Sequence, residues 1–236
     1  MTTEEKQKYI PLFCLLLAML LWSSSFIALK IAFRNFDPMV VIFGRMLIAS
    51  ICFLFIFKRV ANNLDYHHSD LLLILFMAFC EPCLYFIFEA KALENTTASQ
   101  AGMITALLPI LVMITATMFL KEKTGAKGWL GALLAVFGVC WLTLESSPTE
   151  NAPNPMLGNF LEFLAMVCAT GYTIGMRTLT KRYSPLFLTA VQAVVGCVFY
   201  FPLLFLPGTE LPTHYDPYSS MAIVYLGAVI TLGAYG

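Results

Sequence analysis

Long apolar runs separated by short polar breaks make up most of the chain. A helix that crosses the roughly 30 Å hydrocarbon core of a bilayer needs about 20 largely apolar residues. Seven runs reach or come close to this length: 10–31, 39–57, 71–93, 98–120, 128–144, 157–179 and 186–206. An eighth run begins near Ser219 and is still apolar at Gly236, where the sequence stops. The pattern predicts an all-α fold, a polytopic bundle of transmembrane helices.

The composition indicates that lipid, rather than water, surrounds this bundle. Hydrophobic residues make up 59% of the 236 residues and charged residues 12%, whereas soluble domains average roughly 25% charged residues. The formal net charge is zero, and the chain has no run of lysine and arginine of the kind that binds phosphate backbones. We therefore predict membrane lipids as partners and no nucleic-acid partner.

Lysine and arginine residues are distributed unequally between the two sides of the predicted bundle. Cytoplasmic loops of membrane proteins carry an excess of these residues. A cytoplasmic N-terminus leaves Arg34 alone in an outer loop, with Lys30 and Lys91 near the outer ends of their helices. The inner loops and adjoining helix ends then hold the larger set: Lys6, Lys8, Lys58, Arg59, Lys121, Lys123, Lys127, Arg177, Lys181 and Arg182. This bias predicts a multi-pass protein whose N-terminus is cytoplasmic.

The two halves of the chain match weakly at an offset of 147 to 150 residues. The matches are Ala18-Met19 with Ala165-Met166, Lys30 with Arg177, Arg34 with Lys181, Pro38 with Pro185, Arg45 with Gln192, and Leu84-Tyr85 with Ala234-Tyr235. The repeating unit holds five spans, and an odd number inverts the second copy, as in many secondary transporters. We predict inverted five-helix repeats over 1–146 and 157–236, the second stopping within its third helix. Ten helices are expected in total and about seven and a half are present, so the chain is expected to be a fragment.

Three segments resemble EamA-type members of the drug/metabolite transporter superfamily. Residues 21–30 (LWSSSFIALK) are similar to the opening helix of that family, 98–102 with 108–109 and 119–122 to its fourth helix, and 128–132 with 138–139 to its fifth. The resemblance implies ten helices in two inverted repeats, a central cavity, and export or exchange of small metabolites across a bacterial plasma (inner) membrane. The chain departs from the family pattern at Glu81-Pro82, within the predicted third helix.

Glu81 and Pro82 are the first candidates for a functional site. Glu81 lies about 15 Å along the predicted third helix by the rise per residue, near the centre of the bilayer. Pro82 removes an intrahelical hydrogen bond and frees the carbonyl of Ala78. Ionisable residues at this depth are functional hypotheses by default, so a proton, cation or amine site is predicted. The alternative is a neutral or hydrogen-bonded carboxyl that only joins two helices.

Four charged residues are predicted to share one outer layer of the membrane: Lys30, Arg45, Glu89 and Glu162. Tyr85 lies between Glu81 and Glu89 at helical spacing. One interpretation is an ion-pair network in which Lys30 extends to the interface. The other is an outward gate or a clamp for solute charge, and Arg45 with Glu89 is the pair predicted to matter most.

Further polar residues in the spans are candidates for the cavity wall. Trp22, Ser24 and Ser25 lie midway along the first helix, where small hydroxyls either serve close helix packing or line the cavity, as the family resemblance favours. Gln100, Thr105 and Tyr172 are weaker candidates that could equally serve packing, and Pro109 is predicted to kink the fourth helix.

No enzyme chemistry is predicted. The seven cysteines lie in apolar runs, and Cys80 with Cys83 is either a redox pair or, as we favour, part of helix packing. No metal-ligand spacing, phosphate-binding loop or nucleophile elbow is present. We therefore expect no catalytic residue, metal or cofactor.

The leading hypothesis is a secondary transporter that moves a small metabolite, amino-acid-like or drug-like, by alternating access through a cavity between the repeats. Coupling to protons through Glu81 is a subsidiary hypothesis, and the protein is either a monomer or a homodimer. The alternatives are a membrane-embedded enzyme that handles lipid or prenyl chains and a membrane scaffold that transports nothing.

Overall fold

The fold was taken from a computed structural model, which describes residues 3–56, 67–119 and 125–235. Seven helices in these ranges are long and apolar enough to cross a membrane, which confirms the predicted polytopic helical bundle. The helices are α1 (Thr3–Ala32), α2 (Pro38–Phe55), α3 (His68–Asn95), α4 (Ala98–Phe119), α5 (Ala126–Glu145), α6 (Pro155–Leu179), α7 (Pro185–Leu203) and the shorter apolar α8 (Pro217–Gly233).

Four helices begin in the same way, with a polar cap followed by proline. The side chains of Asp37, Asn154, Ser184 and Asp216 each accept a hydrogen bond from a backbone N–H of the first turn. The proline that follows each cap occupies a position where no backbone donor is needed. The helices α2, α6, α7 and α8 therefore begin one or two residues earlier than the apolar pattern predicts.

Three helices are irregular within the membrane. Helix α3 contains a π-helical stretch at Phe79–Leu84, in which Glu81 is extended at φ −144°, ψ 119°, and the peptide bond before Pro82 is cis. Helix α8 contains a second π-helical stretch at Tyr225–Ile230. Helix α4 tightens to a 3-10 helix at Thr105–Leu107, just before Pro109, where a kink is predicted.

Helices α3 and α6 form a close antiparallel pair. Three glycines of α6 permit the approach: a Cβ atom on Gly158 would lie 2.7 Å from Thr96, one on Gly171 2.9 Å from Cys80, and one on Gly175 3.2 Å from Met77. Such small residues are common where membrane helices pack closely. Buried residues of this pair contribute to the core around the polar residues described below.

Contacts at the two ends of the bundle follow the predicted alternation of helix direction. Arg182, after α6, donates to Asp70, in the first turn of α3, at 3.0 Å. At the other end Lys30 Nζ donates to the carbonyl of Asn151, between α5 and α6, at 2.9 Å. Four other residues of the positively charged set, Lys58, Arg59, Lys121 and Lys123, lie outside the described residues.

Candidate solute cavity

A cavity of about 290 Å³ lies among α1, α2, α3, α4 and α6. Its wall is mostly apolar, but polar and charged side chains reach it from several helices. Eight residues predicted from the sequence line it: Trp22, Ser25, Arg45, Glu81, Tyr85, Glu89, Thr105 and Tyr172. The fold therefore brings together residues that lie up to 150 positions apart in the chain.

The interrupted turn of α3 supplies one side of this cavity. The helix break exposes backbone carbonyls, and a backbone group without a partner is unfavourable in lipid. Side chains of α7 provide the partners: Gln192 Nε2 donates to the carbonyl of Glu81 at 2.7 Å, and the Tyr200 hydroxyl lies 3.0 Å from the carbonyl of Pro82 and 2.6 Å from that of Cys83. These acceptors lie one turn beyond Ala78, whose carbonyl the sequence singled out.

Arg45 is almost fully buried and contacts two other helices. Its Nε donates to Thr231 Oγ1, in α8, at 3.3 Å. Its guanidinium carbon lies 4.3 Å from the centre of the Phe86 ring, a favourable cation–π distance. The side chain thus carries a positive charge between the cavity and a smaller pocket of about 20 Å³, which Glu81, Gln192 and Thr231 also line.

Glu89 is the carboxyl predicted to pair with Arg45. Its Oε1 accepts a hydrogen bond from the Tyr85 hydroxyl at 3.0 Å, and the charge of Arg45 is near enough to act on it. The direct hydrogen-bond partner of Glu89 is therefore Tyr85, one turn earlier in the same helix, while Arg45 contributes through the electrostatic field.

The other two members of the predicted outer layer are not in the cavity wall. Glu162 is fully buried in α6, and neither of its carboxyl oxygens has a hydrogen-bond partner among the described residues. Its carboxyl is close enough to Glu89 to interact electrostatically. Lys30 is further away, in the last turn of α1, where it donates to the loop carbonyl of Asn151.

Two predicted cavity residues have other contacts. Ser24 Oγ lies 2.7 Å from the Tyr225 hydroxyl and so joins α1 to α8. Gln100 forms a capping box with Thr97 at the start of α4, and its Nε2 donates to Ser146 Oγ at 2.6 Å. These contacts are of the packing type that the sequence analysis gave as the alternative to a place in the cavity wall.

Sequence reasoning did not identify Gln192, Tyr200 and Thr231 as parts of the site. All three are buried polar residues in apolar helices, and this is the signal that could have found them. The self-match of the chain did pair Gln192 with Arg45, although no role was assigned to it. The two cysteines of the CxxC pattern are buried within the irregular stretch of α3 and are not joined by a disulfide bond.

Comparisons with known proteins agree with the fold. The model of the EamA-like transporter family matches residues 9–144 and 156–236. An uncharacterized transporter of Bacillus subtilis (strain 168), YcxC, is 28% identical over 222 residues, which cover 88% of this chain and 69% of YcxC. An uncharacterized transporter of Archaeoglobus fulgidus is 25% identical over 224 residues, covering 94% of this chain and 76% of its own length.

A solved crystal structure has a similar fold. It superposes with a TM-score of 0.62 at 16% sequence identity and covers 94% of this chain and 76% of its own. The family match spans nearly the whole sequence, and the names of the relatives are those of transporters rather than of enzymes. The chain belongs to the EamA-like transporter family and is a membrane transporter.

Proposed function

We propose that the protein is a secondary transporter that exports or exchanges a small zwitterionic metabolite of the amino-acid type by alternating access. The observation that carries this proposal is the juxtaposition of three buried charged residues, Arg45, Glu81 and Glu89, in the wall of one cavity. Charged groups inside a membrane protein are costly and are retained for pathways and binding sites. A volume of about 290 Å³ lies just below the range typical of sites for drug-sized ligands, which favours a small metabolite.

The charges and rings of the cavity match such a solute group by group. The Arg45 guanidinium is suited to a carboxylate, and Glu81 or Glu89 to an ammonium group. The aromatic rings of Trp22, Tyr85 and Tyr172 would then contact the solute side chain, because they line the same cavity. An apolar side chain of moderate size fits this wall best.

The packing of the helices supports the inverted repeats over 1–146 and 157–236. Under that arrangement α1 to α3 correspond to α6 to α8. The contact between α3 and α6 then corresponds to the contact between α8 and α1. The contact between α7 and α3 corresponds to the contact between α2 and α8. The helices of all four pairs pack together. Helix α2 packs against α7, its own counterpart, as expected for two helices beside a two-fold axis.

Two hydrogen bonds across the proposed repeat boundary follow the same relation. Arg45 of α2 reaches Thr231, directly after the π-helical stretch of α8, and Gln192 of α7 reaches Glu81, within that of α3. Arg45 and Gln192 are matched by the repeat, and Thr231 lies 150 residues after Glu81. Each repeat thus contributes a side chain that binds the irregular helix of the other repeat. A rocking motion between the repeats would therefore move both hydrogen bonds together.

We also propose that the N-terminus faces the cytoplasm of a bacterial cell, on the charge bias of the loops. The cavity lies within one chain, so transport requires no second copy, and the protein could work as a monomer or as a homodimer.

Counterflow in proteoliposomes tests the proposal. Vesicles loaded with an unlabelled amino acid are diluted into a trace of the same amino acid in radioactive form, over a panel of neutral, acidic and basic amino acids. We expect transient accumulation for neutral amino acids with apolar side chains, and a large loss of it in Glu81→Gln. The matched control is Glu94→Gln, since Glu94 lies outside the cavity and pairs with Lys91 at the surface.

Two results would contradict the proposal. Absence of counterflow for the whole panel would favour the scaffold alternative. Equal counterflow in Glu81→Gln and Glu94→Gln would mean that the Glu81 carboxyl has no part in binding.

A further inference from the structure

The contacts between α3 and α6 fix which residues of the two helices lie side by side. Gly158 is opposite Ala92 and Thr96, and the two helices run antiparallel. One helical turn further along α6 is Glu162, and about one turn back along α3 from Ala92 is Glu89. The register therefore brings the two carboxyl-bearing residues to the same level of the membrane, in agreement with their electrostatic interaction.

The surroundings of these two carboxyls differ. Glu162 is 0% exposed and has no hydrogen-bond partner in the described part of the chain. Burying an ionised carboxylate without a partner is far more unfavourable than burying the neutral acid. Glu89 accepts a hydrogen bond from Tyr85 and forms part of the cavity wall. Its carboxyl can therefore exchange a proton with the contents of the cavity. Two carboxyls at one site do not readily ionise together.

We propose that Glu89 and Glu162 form a proton-binding pair that couples solute movement to protons. Without solute, both carboxyls are protonated. When the ammonium group of a solute approaches Glu89, the Glu89 proton leaves to the cavity, and Glu162 keeps its own proton. The Glu162 O–H can then donate to the Glu89 carboxylate. One proton is thus exchanged for each solute, and this coupling rests on the proposed transport function.

The charged and titratable groups around the pair agree with this division of roles. On α2, Arg45 lines the same cavity as Glu89. Tyr85 of α3 donates to Glu89, and Tyr200 of α7 lies in the same core cluster as Tyr85.

Helix α4 carries no titratable side chain over 98–119. On α5, Cys140 and Glu145 are exposed, and on α6 Tyr172 faces the cavity.

Infrared spectroscopy of the purified protein in lipid tests the protonation directly and needs no solute. At neutral pH we expect the carbonyl stretch of protonated carboxyl groups in the wild type. The band should lose the intensity of one carboxyl in Glu162→Gln, and should be unchanged in Glu94→Gln. Glutamine keeps the size of the side chain, and Glu162→Met serves as a second neutral variant. Absence of the band in the wild type, or its full persistence in both Glu162 variants, would overturn the proposal.

Transport measurements separate the failure of this inference from the failure of the proposed function. Leucine uptake into proteoliposomes is driven by an imposed pH gradient, and counterflow is measured in the same preparation without a gradient. We expect gradient-driven uptake in the wild type and its loss in Glu89→Gln. Counterflow without any gradient-driven uptake would overturn the coupling and leave the proposed function intact. If counterflow is also absent, the proposed function fails, and the infrared result still decides whether the pair binds protons.

Discussion

Removal of the Tyr200 hydroxyl tests the hydrogen bonds that hold the α3 break. Tyr200 is fully buried, and its hydroxyl lies within hydrogen-bond distance of the carbonyls of Pro82 and Cys83. Phenylalanine keeps the ring and its edge-to-face contact with Phe199, so only the hydrogen bonds are lost.

The magnitude follows from the cost of an unpaired buried acceptor. Such a group costs about 1–3 kcal/mol in soluble proteins, whereas hydrogen bonds within membranes average about 0.6 kcal/mol and reach about 1.7. The Tyr200 hydroxyl serves two carbonyls with a single proton, so we expect Tyr200→Phe to lower the free energy of unfolding by about 1–2 kcal/mol. This loss corresponds to a factor of about 5 to 30 in the ratio of folded to unfolded protein.

Reversible unfolding in mixed detergent micelles measures this loss. The matched control is Tyr218→Phe, because Tyr218 is 77% exposed and the same atom is removed without any buried carbonyl being left unpaired. If the two variants lose equal stability, the hydroxyl does not hold the α3 break, and the account of this site given above is wrong.

Two further predictions concern helix packing and helix capping. Gly158→Ala should destabilise the fold, because its Cβ would lie 2.7 Å from Thr96. In the control Gly131→Ala the added Cβ meets no atom within 4 Å, so this variant should be neutral or slightly stabilising. Comparison of the melting temperatures of the two variants checks this, and equal melting temperatures would contradict the close approach. The pKa of Asp216 is lowered by hydrogen bonds from the side chain and backbone of Ser219. The carboxylate should therefore stabilise the start of α8 at pH values above the ordinary aspartate pKa of about 3.9, and this stabilisation should be lost as the pH falls through the lowered pKa. In Asp216→Asn the acid loss of stability, followed by circular dichroism, should be smaller, and an unchanged pH profile would contradict the role of the carboxylate.

The helices could be predicted from the sequence because each depends on a local run of apolar residues. The details at their ends and centres depend on other signals. The capping box of Thr97 and Gln100 is a local pattern that explains why Gln100 lies outside the cavity, so that assignment was within reach of sequence reasoning. Lys30 also follows a local rule, since its position at a helix end favours the interface.

The α3 break shows where local reasoning ends. Glu81-Pro82 indicates that the helix is disturbed, but the extended conformation of Glu81 depends on donors from α7, more than 100 residues later. The depth of Glu162 could be predicted from its position along α6. Its lack of a hydrogen-bond partner could not, because that depends on how closely the glycines of α6 allow α3 to approach.

The proline starts of α2, α6, α7 and α8 restrict how the molecule can change shape. Proline disfavours the helical conformation of the residue that precedes it. These four helices therefore do not readily lengthen by winding in residues from the preceding loop. The start of each of these helices is therefore fixed at one point of the sequence. Any opening and closing of the cavity must then come from tilting of whole helices and from bending at the interior irregularities of α3, α4 and α8.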